Sequence, residues 1–345
     1  MDEHPPDLTL PPDGEEPTEE RPLGDLGPPA EPAPAEPPLE SPLPPLESPP
    51  RRPRRRSHHL PVVLGILAGA AAIAVAVVFL RGGGGEAAPP PATTAVAPEP
   101  VLKVVFPEGF TRDEMAERIT AVDEIAKDKR DIVPALSAED YLRATKRSAL
   151  AAELAKLPAN FQSDKHVKGF EGFLFPATYD FNPDTTSPEL VELQLEAFAK
   201  AWGQIDLAYA TKRNLTAYDV LIIASMIEGE VRVPRERALV AAVIYNRLRA
   251  RMPLGIDATL RYGLDIPPTR AIRQSELDSD NPYNTRKRLG LPPTPIGNPG
   301  LAAIQAAAHP ADVDYLYFVR KKDCKSHFFT ASEQKFLDFV AGDRC

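Results

Sequence analysis

An uncharged and largely apolar run covers residues 60–80. These 21 residues include no Asn, Gln, Ser or Thr. At a rise of about 1.5 Å per residue, a helix of this length spans about 30 Å, the thickness of a bilayer core. A buried core helix is the alternative, but neither flank supplies a segment for it to pack against. The pattern predicts one transmembrane helix, too far from the N-terminus for an ordinary cleaved signal peptide.

From residue 101 onward, short apolar patterns alternate with caps and turns. Residues 101–106 alternate like a strand, and Thr111 opens a capping box before a short helix expected to end near Thr120. The further predicted elements are helices over 137–157, 189–209 (capped by Ser187), 217–229 (capped by Thr216) and 236–251, an antiparallel hairpin of 315–320 with 327–330, and a last helix from about Ser332. This mixture of helices and antiparallel strands predicts an α+β fold class.

Proline divides the chain into unlike parts. Most of the 40 prolines lie in the first hundred of the 345 residues. Residues 1–59 are rich in Pro and Glu with almost no aromatic residues, so we expect a disordered arm that buries too little apolar surface to fold. Polyproline-binding partners could bind its Pro-Pro pairs, although we favour the interpretation that the arm is a solvated spacer. Residues 81–100, rich in Gly, Ala and Pro, are predicted to form a linker.

Charge is also distributed unevenly. Residues 1–50 hold thirteen Asp and Glu against Arg21 alone, whereas residues 51–59 carry five arginines directly before the apolar run. The positive-inside rule then predicts a single-pass protein of the cytoplasmic (inner) membrane, with residues 1–59 in the cytoplasm and the chain after Arg81 outside. The rest of the chain is nearly neutral, and the only basic run is short, so we expect no nucleic-acid partner.

Cysteine and histidine usage limits the possible chemistry. Two cysteines and six scattered histidines, without H-E-x-x-H or C-x-x-C spacing, predict neither a metal site nor a disulfide-dense scaffold. Cys324 and Cys345 both fall in the predicted extracytoplasmic domain, where thiols tend to be oxidised. We predict that they form a disulfide closing the terminal hairpin and helix onto each other, and two free thiols remain the alternative.

Two carboxylates stand at the C-terminal end of the predicted helix 217–229, whose surface is apolar on most sides. Glu228 and Glu230 project about 200° apart around it, so only one can face a given cleft. The helix dipole and apolar surroundings both favour the protonated form of a carboxyl, which suits a general acid in glycoside cleavage. The alternative is a solvated glutamate paired with Arg232 or Arg235.

Two further regions have the composition of a sugar-binding groove. Residues 169–179 combine aromatics, glycines and the carboxylate of Glu171, although single aromatics are more often core residues. Residues 243–300 contain loops rich in Asn, Asp, Thr and Tyr that Pro and Gly stiffen. Such loops are typical of proteins that recognise a polar polymer.

Taken in order, these segments resemble the endolytic murein transglycosylases, single-pass lytic enzymes of bacterial cell-wall synthesis. The resemblance covers residues 101 to about 340. Its motifs are Glu171-Gly-Phe-Leu-Phe-Pro-Ala-Thr-Tyr179, Ala224-Ser-Met-Ile-Glu-Gly-Glu230, 243–248, 252–263, Pro282-Tyr-Asn-Thr285, 290–300, Ala306-Ala-Ala-His309-Pro310 and Tyr315-Leu-Tyr-Phe-Val319. It implies a small lysin-motif-like α/β subdomain over 101–160 and a catalytic domain of helices and antiparallel strands over 161–345.

The resemblance also implies an activity and a site. A lyase would cleave the β-1,4 bond between N-acetylmuramic acid and N-acetylglucosamine of peptidoglycan, leave a 1,6-anhydro end, and need no cofactor. Glu230 would be the catalytic acid, and peptidoglycan synthases would be candidate partners. The implied substrate-binding residues are Glu171, Tyr245, Asn246, Asp257, Thr259, Tyr283, Asn284 and Thr285.

The sequence departs from this family in a shorter membrane-proximal region, in Gly229 where a Lys is common, and in its long N-terminal arm. Two other functions stay open. One is a muramidase-type hydrolase with Glu171 or Asp257 as second carboxylate. The other is a non-catalytic, membrane-tethered scaffold that binds the wall and recruits synthases.

Overall fold

The structure is a computed structural model that describes residues 100–342 and Cys345. The predicted arm, the transmembrane helix over 60–80 and nearly all of the linker lie outside the described residues, so those predictions stay predictions. In the described part, no helix combines the length and the apolar character needed to cross a membrane.

Helices dominate the described chain, with two small antiparallel sheets. The strands are β1 (Leu102–Val105), β2 (Thr178–Phe181), β3 (Tyr317–Arg320) and β4 (His327–Thr330). The helices are α1 (Arg112–Arg130), α2 (Ala138–Ala144), α3 (Arg147–Glu153), α4 (Ala159–Gln162), α5 (Ser187–Trp202), α6 (Ala208–Thr211), α7 (Ala217–Glu230), α8 (Arg237–Arg249), α9 (Asp257–Gly263), α10 (Gln274–Leu277), α11 (Leu301–Ala308) and α12 (Glu333–Gly342), with 3-10 turns at Leu154–Lys156 and Pro234–Glu236.

Helix α7 is the centre of the core. Thr216 caps its start, where the threonine hydroxyl accepts a hydrogen bond from the Asp219 backbone N–H. The apolar residues that follow are buried on every side, against α8, α9 and α11 among others. The prediction of a buried helix here is confirmed, and the helix extends one residue further, to Glu230.

The first sheet joins two segments that are distant in sequence, whereas the second is a hairpin near the C-terminus. In the first, β1 pairs antiparallel with β2, so that Val104 lies opposite Tyr179. One hydrophobic core runs without a break from β1 to α11, across residue 160. The division into 101–160 and 161–345, and the lysin-motif-like character of β1 and α1, stay predictions.

Helix α1 is longer than predicted. It runs past Thr120 to a C-cap at Asp131, which takes a left-handed φ of 54°. The predicted end near Thr120 is wrong. Residues 121–130 lack the strong apolar stripe that would have indicated a helix, but their Ala, Glu and Lys residues favour a helix on an exposed surface.

The single helix predicted over 137–157 is also wrong. Helix α2 ends at Thr145, whose hydroxyl donates a 2.7 Å hydrogen bond to the backbone oxygen of Tyr141. Side-chain bonds of this kind compete with the helical pattern, and α3 and a 3-10 turn follow as separate pieces.

Helices α5 and α8 differ at their ends from the predicted 189–209 and 236–251. Thr186, not Ser187, caps α5 through a complete capping box. Helix α5 also stops well short of the predicted end, and the short α6 follows it. Helix α8 begins only after a 3-10 turn and ends just before Arg251, which takes a left-handed φ of 51°.

The C-terminal elements follow the prediction. Strands β3 and β4 pair antiparallel, and α12 comes after them. Cys324 in the hairpin turn and Cys345 form a disulfide with a Cα–Cα distance of 5.2 Å. The predicted pairing of these cysteines is confirmed.

Candidate active site

The side chain of Glu230, at the C-terminal end of α7, is 11% exposed. One carboxylate oxygen, Oε1, accepts a 3.3 Å hydrogen bond from the backbone N–H of Ala258 in α9. The guanidinium of Arg320 in β3 lies 3.5 Å from the other oxygen, Oε2. Glu230 is thus held by a neutral donor from one element and faces a cation from another, while part of its surface stays open to solvent.

Glu228 has different surroundings from Glu230. Its Oε2 accepts a 3.2 Å hydrogen bond from the N–H of Gly300, directly before α11, and its Oε1 lies 3.9 Å from Arg237. Burial and the nearby carboxylate of Glu108 raise the pKa of Glu228. The expectation that the two glutamates point to different sides of the helix agrees with these contacts.

The alternative of a solvated pair at the helix end is wrong. Taken as whole residues, backbone included, Glu228 is 9% exposed and Glu230 is 8% exposed. The arginines paired with them, Arg237 and Arg320, come from other elements than the arginines next in sequence. Burial follows because α9, α11 and the β3–β4 hairpin cover the end of α7.

Gly229, between the two glutamates, has a packing role. A β-carbon at this position would lie 3.1 Å from the β-carbon of Ala258. A larger residue would therefore press on α9, where the Ala258 N–H meets Glu230. The glycine lets α9 approach the end of α7 closely.

Glu171 is a second carboxyl, half-buried in the loop after α4. It accepts hydrogen bonds from the Tyr262 hydroxyl at 3.1 Å, the Asn298 side-chain amide at 2.8 Å and the Arg112 backbone N–H at 3.1 Å. Burial raises the pKa of Glu171 to about 7, although the hydrogen bonds from Tyr262 and Arg112 oppose the shift. This carboxyl can therefore hold a proton near neutral pH.

Asn298 joins three segments around Glu171. Its side chain is fully buried, and its Oδ1 accepts the backbone N–H groups of Gly172 and Leu174 at 2.8 and 3.0 Å. Its Nδ2 donates to the Phe110 carbonyl at 2.9 Å as well as to Glu171. All hydrogen-bonding positions of this amide are used, so it fixes the loop that carries Glu171.

Helix α9 contacts both carboxyls. Its Ala258 N–H meets Glu230 and its Tyr262 hydroxyl meets Glu171. Tyr262 is the fourth residue after Ala258, which corresponds to a rise of about 6 Å along a helix. The structure therefore brings Glu171 and Glu230 to contacts about one turn apart on the same short helix.

Tyr283 and Asp257 lie beside this region. The ring of Tyr283 packs edge-on against Tyr262 with a centroid distance of 5.1 Å, and its hydroxyl is 2.8 Å from that of Thr294. Asp257, the residue before Ala258, is exposed and forms a 2.5 Å ion pair with Arg286. Their contact with a glycan strand stays a prediction.

The other five predicted groove residues are buried and bonded within the protein. They are Tyr245, Asn246, Thr259, Asn284 and Thr285. Tyr245 donates to the backbone of α11, Asn246 to the segment before β3, and Asn284 to the last residue of α10 and the loop after it. The hydroxyls of Thr259 and Thr285 lie 3.0 Å apart. These side chains shape the loops, and their direct contact with glycan stays a prediction.

Sequence reasoning missed three residues of this region. Tyr262 and Asn298 stand inside motifs that were identified, but nothing local marks them as partners of Glu171. Arg320 carries no sequence signal at all, because only the folded hairpin brings it to Glu230. In residues 100–342 and Cys345, no group of three His, Cys, Asp or Glu side chains is arranged to hold a metal ion.

The site consists of a buried helix that ends in the shielded Glu230 carboxyl and a second carboxyl, Glu171, that is hydrogen-bonded to the adjoining helix α9. The sequence profile of the YceG-like family matches residues 91–341, and the chain belongs to this family. A solved relative is a yceG-like protein of Listeria monocytogenes, with a TM-score of 0.57 and 30% identity over 68% of this chain and 74% of that one.

Two curated relatives carry the name endolytic murein transglycosylase. The protein of Bacillus subtilis (strain 168) is 32% identical over 223 residues, which are 64% of this chain and 59% of the relative. That of Streptococcus pneumoniae (strain ATCC BAA-255 / R6) is 33% identical over 235 residues, 64% of this chain and 41% of the relative. The matched part thus spans only about half of these relatives.

Proposed function

We propose that this protein is an endolytic murein transglycosylase, a lyase that cuts peptidoglycan glycan strands. The observation that carries the proposal is the shielded Glu230 carboxyl at the end of α7, in a chain of the YceG-like family. The names of the curated relatives support the same activity. The bond cleaved would be the β-1,4 linkage between N-acetylmuramic acid and N-acetylglucosamine.

In this mechanism, Glu230 serves both chemical steps. As an acid it gives its proton to the glycosidic oxygen while the bond from that oxygen to C1 of the muramyl residue breaks. As a carboxylate it then takes the proton of the C6 hydroxyl, whose oxygen bonds to C1. The new end is a 1,6-anhydro sugar, Glu230 is protonated again, and no water is consumed.

The contacts of the other two carboxylates favour this single-carboxyl mechanism over hydrolysis. A muramidase needs a second carboxylate as a nucleophile or as a base for water. Glu171 already accepts hydrogen bonds from three groups, and Asp257 is paired with Arg286. In Glu230, Oε1 accepts the Ala258 N–H, whereas Oε2 has a long, 3.5 Å contact with Arg320, so Oε2 is the oxygen that would exchange a proton with substrate.

Product mass distinguishes the possible functions. The purified full-length protein in detergent would be incubated with peptidoglycan, and the released ends measured by mass spectrometry. A lyase gives anhydro ends, a muramidase gives ends heavier by one water, and a scaffold releases none. Anhydro ends are the expected result, and either of the others would contradict the proposal.

The cellular setting completes the proposal. Residues 60–80 would anchor the chain once in the cytoplasmic membrane, with residues 1–59 inside and the folded domain outside. There the enzyme would meet nascent strands close to the membrane, and cutting them would terminate their elongation. Peptidoglycan synthases are the partners that such a position suggests.

A further inference from the structure

A single guanidinium from the C-terminal hairpin bridges two parts of Glu230. Nη2 of Arg320 lies 3.5 Å from Oε2 of the carboxylate and 3.5 Å from the backbone oxygen of the same residue. The Arg320 side chain is 42% exposed, whereas that of Glu230 is 11% exposed. Contacts in a substrate-free site are often long and tighten when substrate binds. The bridge restricts the directions in which the carboxyl can point.

A buried pair anchors the hairpin that carries Arg320. Arg320 lies opposite His327 in the β3–β4 register. The Glu236 carboxylate accepts the backbone N–H of His327, and its Oε2 is 2.7 Å from the ring Nδ1. Both side chains are buried. Since Glu236 follows closely after Glu230 in the chain, this pair fixes the hairpin to the segment that leaves α7.

The disulfide supplies a second anchor. The backbone N–H of Cys345 donates a 3.1 Å hydrogen bond to the backbone oxygen of Arg320. Cys345 is in turn bonded to Cys324 in the turn of the same hairpin. The end of the chain is therefore held against the residue whose side chain faces Glu230, and reduction would release it.

We propose that Arg320 is a positioning residue for Glu230, held in place by the Glu236–His327 pair and by the Cys324–Cys345 disulfide. This inference rests on the proposed lyase function. Arg320 keeps the carboxyl aimed at the glycosidic oxygen and stabilises the carboxylate that remains after the proton has left. A consequence is that turnover depends on the redox state of a disulfide outside the site.

The first test compares turnover of soluble glycan strands by full-length variants. Arg320→Gln should lower kcat about three- to tenfold with little change in KM, since the interaction acts on the chemical step. Arg320→Lys keeps the charge and should restore part of the loss. Lys321→Gln removes the same charge from an exposed neighbour and should match the wild type. If Arg320→Gln failed to fold, the kcat of Arg320→Lys would be compared with that of the Lys321→Gln control instead.

The second test adds a reductant that opens the disulfide. Reduction should lower kcat of the wild type and leave kcat of Arg320→Gln unchanged, because the effect passes through Arg320. A wild-type kcat in Arg320→Gln, or an equal loss on reduction in both proteins, would overturn the inference while the lyase function stands. A wild type that yields no anhydro ends would instead overturn the proposed function.

Discussion

The Glu171 carboxylate accepts a 2.8 Å hydrogen bond from the side-chain amide of Asn298, 127 residues further along the chain. The same carboxylate accepts the hydroxyl of Tyr262, from the helix whose Ala258 meets Glu230. Glu171 thus connects the loops around the site to the helix that orients the proposed acid. Its protonation state should consequently affect the stability of the whole domain.

We predict that Glu171 makes the free energy of unfolding fall as pH rises from about 4.5 to 7. Burial raises its folded-state pKa from 4.5 to about 7, so the folded protein binds the proton more tightly than the unfolded chain. The stabilisation that the protonated Glu171 contributes is fully present below the unfolded-state pKa of 4.5. It is lost as pH rises through the folded-state pKa of about 7. Urea unfolding at several pH values should show a loss of about 1–3 kcal/mol over this window.

The matched variant is Glu171→Gln, which cannot titrate. Its free energy of unfolding should vary less with pH than that of the wild type. Glu228 also has a raised pKa, but it is present in both proteins, so their difference isolates Glu171. Identical pH profiles for the two proteins would show that the Glu171 carboxyl is not shifted.

The second prediction concerns the C-terminal disulfide. Cys324 and Cys345 are separated by 21 residues, and closing a loop of this size stabilises a fold by about 3 kcal/mol in the chain-entropy model. The double variant Cys324→Ser, Cys345→Ser should lose about that amount in urea unfolding. Reductant should destabilise the wild type similarly and leave the double variant unaffected. Two thiols titrating in the denatured, non-reduced wild type would contradict the pairing.

Local sequence signals predicted the elements whose determinants lie within the element. Thr216 and the apolar run after it located α7 to within one residue, and the hairpin pattern located β3 and β4. The end of α1 and the break at Thr145 were missed. An exposed helix end shows no apolar periodicity, and a hydroxyl that bonds to its own helix cannot be told from one that points to solvent.

The site was predictable only in part, for a related reason. Glu171 and Glu230 stand in recognisable motifs, but their surroundings depend on contacts between distant segments. Arg320 reaches Glu230 across 90 residues, and Gly300 reaches Glu228 across 72. Such contacts depend on how helices and loops pack, and they cannot be predicted from the periodicity or the residue spacing of the chain.

The third prediction concerns membrane topology. The uncharged run over 60–80, preceded by five arginines, should place the C-terminus outside the cytoplasmic membrane. A C-terminal fusion to a reporter that works only outside the cytoplasm should be active. The same fusion to a protein without residues 60–80 is the control and should be inactive. Activity of a cytoplasm-only reporter at the C-terminus of the full chain would contradict this topology.

The fourth prediction separates the two glutamates of α7. Glu230→Gln should lower the rate at least about 100-fold, since it removes the only proposed general acid. Glu228→Gln should keep most of the activity, because the amide oxygen can still accept the Gly300 N–H. A neutral side chain also suits a position where burial raises the carboxyl pKa. Thermal melting of both variants verifies that they are folded.

The most direct test of Glu230 as the catalytic acid is the yield of 1,6-anhydro ends from peptidoglycan by these two variants, measured by mass spectrometry beside the wild type. We expect near-normal yield from Glu228→Gln and almost none from Glu230→Gln. The reverse result in folded proteins, anhydro ends from Glu230→Gln and none from Glu228→Gln, would contradict it and place the catalytic groove on the opposite side of α7.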